Sequence, residues 1–390
     1  MATKGYFIIT DISGYTEYLT ESELDHAHET LQNLFDVQLE HIKFPLKLSG
    51  FRGDAIFMYT PEKCFVNPQS FIETLENLYV VFSDALRQMT FNTTCQCRAC
   101  KNMGKLDLKM CIHYGEYLVQ KLGDREELLG ADVIVPHRML KNHVIEQTGI
   151  KSYALFSEAA ADALELHHLC EPLTPHRESY EHIGDVNMFV HNLRSAWERE
   201  QAREIHIVDP ATAWIAIEIE VPYPPSLIWD LVTTPDLEGP LLGLEYVKRI
   251  DDLGGRTRLE SKFHCAHSSG DFFNKVVDWK PFDYFTTLQQ FAGGLQYYRT
   301  LRFQYDGTIT KFMVHISKPN KETPEGFREF LEMAARQGYE RIPSAIQAQV
   351  GDGKIALESG ETPTSQSFHE ERSSSGAMDI EPGGQASPLQ

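Results

Sequence analysis

The sequence predicts a two-domain chain of the α+β class, and three stretches carry that prediction. Residues 6–16 (YFIITDISGYT) form an apolar run that ends in an aspartate and leads into a helical pattern, which is typical of strand, turn and helix. Residues 44–59 place two apolar runs around Gly53-Asp54, which predicts a β-hairpin. Short strand patterns follow between 213 and 318. We therefore expect a sandwich with helices on one sheet face, followed by a second α+β domain.

Composition limits the functions open to the chain. Its 390 residues, 42% of them hydrophobic, are enough for two ordinary domains with a core in each. The formal net charge of −20 repels phosphate backbones and anionic membranes, which argues against a nucleic-acid partner. No stretch has the apolar core of a signal peptide or the roughly 20 apolar residues of a membrane span. We therefore expect a cytoplasmic protein without integral membrane contact.

The elements of the first domain follow in order along the chain. A capping-box pattern, Thr20 followed by Glu23, opens an amphipathic helix, and a second amphipathic helix begins at Pro68 after the hairpin. Residues 106–113 alternate between apolar and polar side chains, which predicts a strand. The remaining patterns predict a helix entered from 130–142, a strand over 152–156, a helix over 157–169 and a strand over 186–190.

Composition shifts divide the chain into segments. The region 193–209 is charged and lacks a strong apolar face, which indicates a linker or a linker helix. The last 40 residues are rich in Gly, Ser, Glu and Pro, which predicts a disordered tail. The predicted segments are a first domain at 1–195, a linker at 196–210, a second domain at 211–350 and the tail at 351–390.

The second domain is predicted as a run of short strands closed by a long helix. A short helical pattern at 225–232 follows the first strand, and the closing helix covers 324–350. The predicted strands are 214–221, 244–250, 256–265, 272–279, 284–290, 296–305 and 308–316.

Two aspartates indicate a site in the first domain. Asp11 stands at the mouth of a strand before a helix start, where a carboxylate and free N–H groups can hold a metal ion and a phosphate together. Asp54 places a second carboxylate on a turn. With two further motifs, in this order, they resemble the class III nucleotidyl cyclase catalytic domain over residues 5–192. The four motifs are Asp11-Ile-Ser-Gly-Tyr-Thr, Gly53-Asp54, Ile112-His-Tyr-Gly115 and Gly130-x-x-Val133-x-x-x-x-Arg138.

The resemblance implies a ferredoxin-like sandwich that binds a nucleoside triphosphate with two Mg²⁺ or Mn²⁺ ions. Asp11 and Asp54 correspond to the metal-binding aspartates, and the Ile12 carbonyl is a further ligand. Arg138 corresponds to the catalytic arginine, which reaches across a head-to-tail interface, so a homodimer is implied. The reaction would be 3′,5′-cyclisation with release of pyrophosphate. The phosphate-binding N–H groups would be those of Ser13, Gly14, Tyr15 and Thr16.

Several positions depart from the cyclase pattern. Ile134 stands where the family has a ribose-orienting asparagine, four residues before Arg138, and its side chain cannot form a hydrogen bond. Gly50 stands where adenylate cyclases have a base-reading lysine, and Arg52 is the substitute candidate. Glu127 corresponds to the position of the second base-reading residue. Two hypotheses therefore stay open: a cyclase that forms a cyclic nucleotide, and an inactive module that binds nucleotide or only dimerises.

The second domain resembles the START-like (SRPBCC, helix-grip) fold through its order of elements, and the arrangement resembles a bacterial branch in which a cyclase-like domain precedes a lipid-transfer-like domain. Such a fold wraps a curved sheet around its last helix and leaves an apolar cavity. The resemblance implies a hydrophobic small molecule or lipid as partner, and a third hypothesis is a lipid carrier. The predicted cavity residues are Phe285, Phe291, Tyr297, Phe303 and Phe312.

Three of the seven cysteines crowd into one loop, Cys95-x-Cys97-x-x-Cys100, unlike a spaced disulfide framework. Thiols at this spacing can converge on one structural Zn²⁺. A competing interpretation is three reduced loop thiols or a redox-active pair. The candidates for a fourth zinc ligand are Cys111, His113 and Cys64.

Overall fold

The computed structural model of the chain describes residues 2–64, 68–123, 125–169, 173–253, 255–267 and 270–350. The predicted tail, 351–390, lies outside these residues. The chain forms two β-sheets with helices, which confirms the mixed α+β class, and both sheets belong to one compact unit. In the described ranges, no helix is both long and apolar enough to cross a bilayer.

The first sheet contains eight strands in the described residues, and the first of them, β1, lies inside the sheet with a strand on each side. The strands are β1 Thr3–Ser13, β2 Lys47–Arg52, β3 Ala55–Pro61, β4 Asp107–Leu122, β5 Arg125–Leu129, β6 Tyr153–Ser157, β7 Thr174–Tyr180 and β8 Gly184–Asn192. Their order is β2-β3-β1-β4-β6-β8-β7, with β5 paired to β4. Neighbours are antiparallel except β4 and β6, which are parallel. The predicted hairpin is confirmed, because β2 and β3 pair across the turn at Gly53-Asp54.

Helices cover both faces of this sheet. They are α1 Tyr15–Glu21, α2 Leu24–His41, α3 Pro68–Asn92, α4 Arg98–Asn102, α5 Ala131–Met139, α6 Val144–Thr148, α7 Glu158–Ala163, α8 Leu166–Leu169 and α9 Arg194–Ala202. Tyr6 and Ile8 of β1 pack against residues of α2 and α3, whereas Phe7 and Ile9 share a cluster with Val133 of α5. The prediction of helices on one face was therefore wrong. The central part of β1, residues 6–9, is an unbroken apolar run and is buried on both faces.

The second sheet is an antiparallel meander whose first and last strands are neighbours. Its strands are β9 Ile215–Val221, β10 Tyr246–Arg249, β11 Lys262–His267, β12 Gly270–Lys280, β13 Tyr284–Phe291, β14 Gln296–Tyr305 and β15 Thr310–Ile316. Their order is β10-β11-β12-β13-β14-β15-β9. The helices are α10 Pro225–Thr233, α11 Pro235–Leu241, α12 Phe327–Tyr339 and α13 Ile342–Val350.

The long closing helix predicted over 324–350 is two helices, α12 and α13. Pro343 explains the interruption, because proline has no N–H to continue the helical bonding of α12 and is tolerated in a first turn. Tyr339 and Ile346, one from each helix, are fully buried in the same cluster as Phe312 of β15. Both helices therefore contribute to the core of the second sheet.

α3 joins the two sheets through a buried carboxylate, Glu76. Its Oε1 accepts a hydrogen bond of 2.6 Å from Arg256, which belongs to the second-sheet region. On the first-sheet side, His191 Nε2 lies 3.0 Å away and Arg199 Nη2 lies 3.2 Å away. Burial opposes ionisation of Glu76, but Arg256 and His191 outweigh it and hold the pKa well below its usual range. Glu76 is therefore a buried anion held by cations from both halves of the chain.

Glu73 lies one turn earlier on α3 and has a different environment. Its carboxyl oxygens accept hydrogen bonds from the indole N–H groups of Trp229, at 2.7 Å, and Trp279, at 3.1 Å. Burial is the largest influence on this carboxyl and raises its pKa to about 7, although Arg256 and the indoles oppose the shift. Near neutral pH, Glu73 is therefore divided between its protonated and charged forms.

We predict that Glu73→Gln flattens the pH dependence of stability. The folded-state pKa of Glu73 is raised from 4.5 to about 7, so the native chain binds more protons than the unfolded chain in that window. Stability must then fall as pH rises through the window, by at most about 1.4 kcal/mol per pH unit for this one group. Glutamine has no such titration, so the fall should be smaller in the variant. Urea unfolding at a series of pH values measures it.

The control is Glu29→Gln, which changes an exposed carboxyl on α2. It should retain the wild-type pH dependence. Equal slopes in Glu73→Gln and wild type would show that Glu73 does not titrate in this window.

Candidate functional site

Two carboxylates meet beside the end of β1. Asp11 lies close to the last residue of that strand, and its side chain is 14% exposed. Asp11 pairs with Ala55, which places the β2–β3 turn and Asp54 next to it. Gly53, the residue before Asp54, has a φ of +69°, where a side chain would be strained. The structure thus brings together the two aspartates that the sequence singled out.

Lys109 is a third member of this group. β4 pairs with β1 so that Lys109 lies opposite Asp11, and its Nζ is 2.9 Å from Asp11 Oδ2. Its side chain is 20% exposed, so the pair is partly shielded from water. Sequence reasoning missed this residue, because the alternation of β4 marks it as polar without showing which strand it faces.

The charges of this group perturb one another. Burial, and then the negative charge of Asp11, raise the pKa of the Asp54 carboxyl, while Lys109 lowers it. Two carboxylates and one ammonium leave an excess negative charge at a partly buried position. Oxygen ligands with excess negative charge are what Mg²⁺ and Mn²⁺ prefer.

A sharp turn follows the carboxylates. Gly14 has a φ of +83° and precedes α1, and its carbonyl accepts the N–H of Tyr18 at 2.9 Å. Ser13 Oγ is buried and has no hydrogen-bond partner among the described residues. The Ile12 side chain is buried in the cluster under α2 and α3, so only its backbone can serve a ligand. Tyr15 and Thr16 are the first residues of α1.

The two candidate base-binding residues contact each other. Arg52, at the end of β2, lies 3.5 Å from Glu127 of β5 through Nη2 and Oε2. The side chains are 50% and 35% exposed, so the ion pair adds little stability. Both groups are therefore accessible at the edge of the sheet.

Arg138 and Ile134 lie four residues apart on α5 and so share one helix face. Arg138 is exposed, and Ile134 is 52% exposed. The described structure gives Arg138 no part in the Asp11–Lys109 ion pair. Its predicted role depends on a second subunit and stays a prediction.

The prediction that Cys111, His113 or Cys64 is the fourth zinc ligand was wrong. The atoms that converge in the described part of the chain belong to His26, Cys95, Cys97 and Cys100. Cys111 is fully buried elsewhere, in a cluster with Val135, Met139 and Tyr153, because its position on β4 turns it under α5. No local spacing pointed to His26, which reaches the thiols from α2.

Neither of the other two candidates joins the thiols. His113 Nδ1 lies 2.7 Å from Ser157 Oγ, and burial lowers the His113 pKa. Cys64 is buried beyond the end of β3, and burial raises the pKa of its thiol. These side chains therefore belong to the interior of the first sheet.

The aromatic residues predicted to line a ligand cavity mostly pack against other rings. Trp229 lies 5.4 Å from both Phe285 and Phe303, measured between ring centroids. The cavity beside Phe285 has a volume of about 20 Å³, which suits one water. The remaining pairs are Phe291 with Tyr297 at 5.5 Å and Phe312 with Tyr339 at 5.2 Å.

Sequence comparison finds two matches. A family model described as "Protein of unknown function (DUF2652)" matches residues 31–148. An uncharacterized protein of Mycobacterium tuberculosis is 30% identical over 150 residues, which cover 36% of this chain and 64% of that protein. The chain thus spans less than two thirds of that relative's length.

Structural comparison finds cyclases over about half of the chain. The guanylyl cyclase Cya2 covers 49% of this chain and 92% of its own, with 12% identity and a TM-score of 0.38. The adenylyl cyclase CyaB from P. aeruginosa covers 49% of this chain and 95% of its own, with 14% identity and a TM-score of 0.37.

We predict opposite shifts of the Asp54 pKa in two variants. Asp11→Asn removes the neighbouring negative charge and should lower the Asp54 pKa relative to wild type. Lys109→Gln removes the stabilising cation and should raise it. Carboxyl ¹³C titration of protein labelled at aspartate measures both shifts.

Lys121→Gln is the matched control, because Lys121 is an exposed lysine on the same strand. It should leave the Asp54 titration unchanged. Shifts of the same sign in the two test variants would contradict the electrostatic coupling of this group.

Proposed function

We propose that the first sheet and its helices form a nucleotidyl cyclase-like domain that binds a nucleoside triphosphate with divalent cations at Asp11 and Asp54. The observation that carries the proposal is the placement of both carboxylates beside the turn that opens α1. The donor set fits, since these oxygens and the Ile12 carbonyl are hard ligands suited to Mg²⁺ or Mn²⁺. When bound, the ions neutralise phosphate charge and activate a 3′-hydroxyl for attack on the α-phosphate.

The residues around the turn supply the phosphate contacts in this proposal. The proposed donors are the backbone N–H groups of Ser13 to Thr16. Those at the start of α1 have no intrahelical acceptor, because no helical carbonyl precedes them. Ser13 Oγ, buried and unpartnered within the described chain, adds a hydroxyl donor. A nucleotide would thus meet donors for its phosphates over Ser13 to Thr16, directly after the cation ligands at Asp11 and Ile12.

Lys109 has two roles in the proposal. Without cations it balances Asp11 through the 2.9 Å contact. The Lys109 ammonium would repel a cation held by Asp11 and would attract the phosphates of a bound nucleotide. Lys109 would therefore change partner on binding, from the carboxylate to a phosphate oxygen.

A homodimer is part of the proposal, because Arg138 acts on the nucleotide of a second copy. Exposed apolar side chains support an interface near α5 and the β4–β5 hairpin. They are Leu118 and Leu129, which pair across the hairpin, and Ile134 of α5, at 42%, 51% and 52% exposure. A second copy covering this surface would bury them beside Arg138.

A second candidate function is nucleotide binding without turnover. Ile134 favours it, because this exposed side chain lies on the helix face of Arg138 and offers the ribose no hydrogen bond. Removal of one such transition-state contact costs on the order of 10² in rate. Product analysis separates the two candidates.

The division into domains at 1–195 and 211–350 also belongs to the proposal. The two separate sheets support it, and the neighbouring first and last strands of the second sheet support a START-like assignment. We do not extend the proposal to a lipid or apolar ligand, since Trp229 and the packed aromatic rings fill that core.

We predict that ATP, GTP, CTP or UTP stabilises the full chain when Mn²⁺ is present. At a free triphosphate concentration of about 100 Kd, the free energy of unfolding should rise by about 2.7 kcal/mol. Asp11→Asn and Asp54→Asn should each lose most of this gain, because the cations lose a charged ligand. Thermal unfolding with and without Mn²⁺ measures binding, and mass spectrometry of the same samples detects cyclic product and pyrophosphate.

Asp162→Asn, an exposed change on α7, is the control and should bind as wild type does. Metal-dependent triphosphate binding that is unchanged in both aspartate variants would contradict the proposed site. Binding with cyclic product identifies a cyclase, and binding without product identifies the second candidate.

A further inference from the structure

We propose that His26, Cys95, Cys97 and Cys100 form a structural zinc site. The histidine comes from α2, and the thiols come from the segment that leads into and through α4. Their four ligand atoms all lie within 4.8 Å of one another. The site lies outside the proposed nucleotide site and does not depend on it.

The distances match a tetrahedral ion. His26 Nδ1 lies 3.6 Å from Cys95 Sγ, 3.3 Å from Cys97 Sγ and 3.6 Å from Cys100 Sγ. A tetrahedral zinc with bonds of about 2.3 Å to sulfur and about 2.0 Å to nitrogen places nitrogen and sulfur about 3.5 Å apart and two sulfurs about 3.8 Å apart. The three nitrogen–sulfur distances therefore suit one ion, and the sulfurs, which lie within 4.8 Å of one another, need to approach by at most about 1 Å.

The surrounding polypeptide holds the thiols toward α2. Cys97 caps α4, and its Sγ accepts the N–H of Cys100 at 3.4 Å. Glu23, which precedes α2, accepts the N–H of Ala99 at 3.0 Å through a carboxyl oxygen. These bonds fix the separation of the thiols from His26 independently of any ion.

The ligand set selects zinc and a structural role. Three thiolates and one imidazole are soft or borderline ligands, unlike the oxygen ligands of the aspartate pair. Four protein ligands complete a tetrahedron and leave no open position for water or substrate, which is typical of structural zinc. A disulfide would use only two of the thiols and would leave the histidine without a role.

The site would tie α2 to the segment that supports the α1 turn. That segment continues through Lys105. The carbonyl oxygen of Lys105 lies 3.5 Å from the position that a Cβ atom would take at Gly14. Loss of the ion would therefore loosen the chain beneath this turn and lower the stability of the first sheet.

We expect the full chain, expressed with zinc in the medium and dialysed against a weak chelator, to retain about one zinc ion per molecule by elemental analysis. His26→Ala and Cys97→Ser should lose most of that zinc. The matched controls are His28→Ala, an exposed histidine on the same helix, and Cys265→Ser, a buried thiol in the second sheet. Both controls should retain wild-type zinc.

X-ray absorption of the wild-type protein tests the proposal even where a variant fails to fold. The expected first shell is three sulfurs at about 2.3 Å and one nitrogen at about 2.0 Å. Absence of zinc from the wild-type chain, or a shell made of oxygen ligands, would overturn the assignment. So would full zinc retention by a folded His26→Ala variant.

Discussion

The buried ion network of Glu76 is the constraint on which the arrangement of the two sheets depends. An isolated carboxylate in this position would cost several kcal/mol, and removing one partner of such a network typically costs 3–5 kcal/mol. Arg256 approaches from one half of the chain, and His191 and Arg199 from the other. The buried carboxylate is therefore compensated by partners from both halves, whereas the apolar residues of α3 belong to the first core.

Burial of β1 on both faces has a similar consequence for the candidate site. A central strand with helices on each side has little freedom to shift its register. Asp11 is therefore held opposite Lys109 and beside the turn that carries Asp54. The apolar residues of the strand position the polar group at its end.

Sequence patterns predicted many local elements, because hairpin turns and alternating strands have short-range signals. The capping box predicted at Thr20 was wrong, because Thr20 lies inside α1 and α2 begins at Leu24. The β2–β3 hairpin and the strands of the second sheet lie close to their expected places. Lys109 and His26 were missed because their partners are distant in sequence, and no local periodicity records which strand or loop they face. The one-face layering was wrong for a related reason: an apolar run such as β1 does not say how many of its faces are covered.

The position of α3 also bears on what the first sheet would be without the second. Glu73 accepts bonds from the indoles of Trp229 on α10 and Trp279 on β12, and Glu76 accepts one from Arg256 in addition to its first-half partners. A chain that kept the first sheet and lost the second would lose these bonds from the second-sheet region, whereas the apolar residues of α3 would stay packed in the first core. The contact that α3 makes with the second-sheet region is thus polar, so a chain with the first sheet alone would hydrate Glu73 and Glu76 instead of burying them.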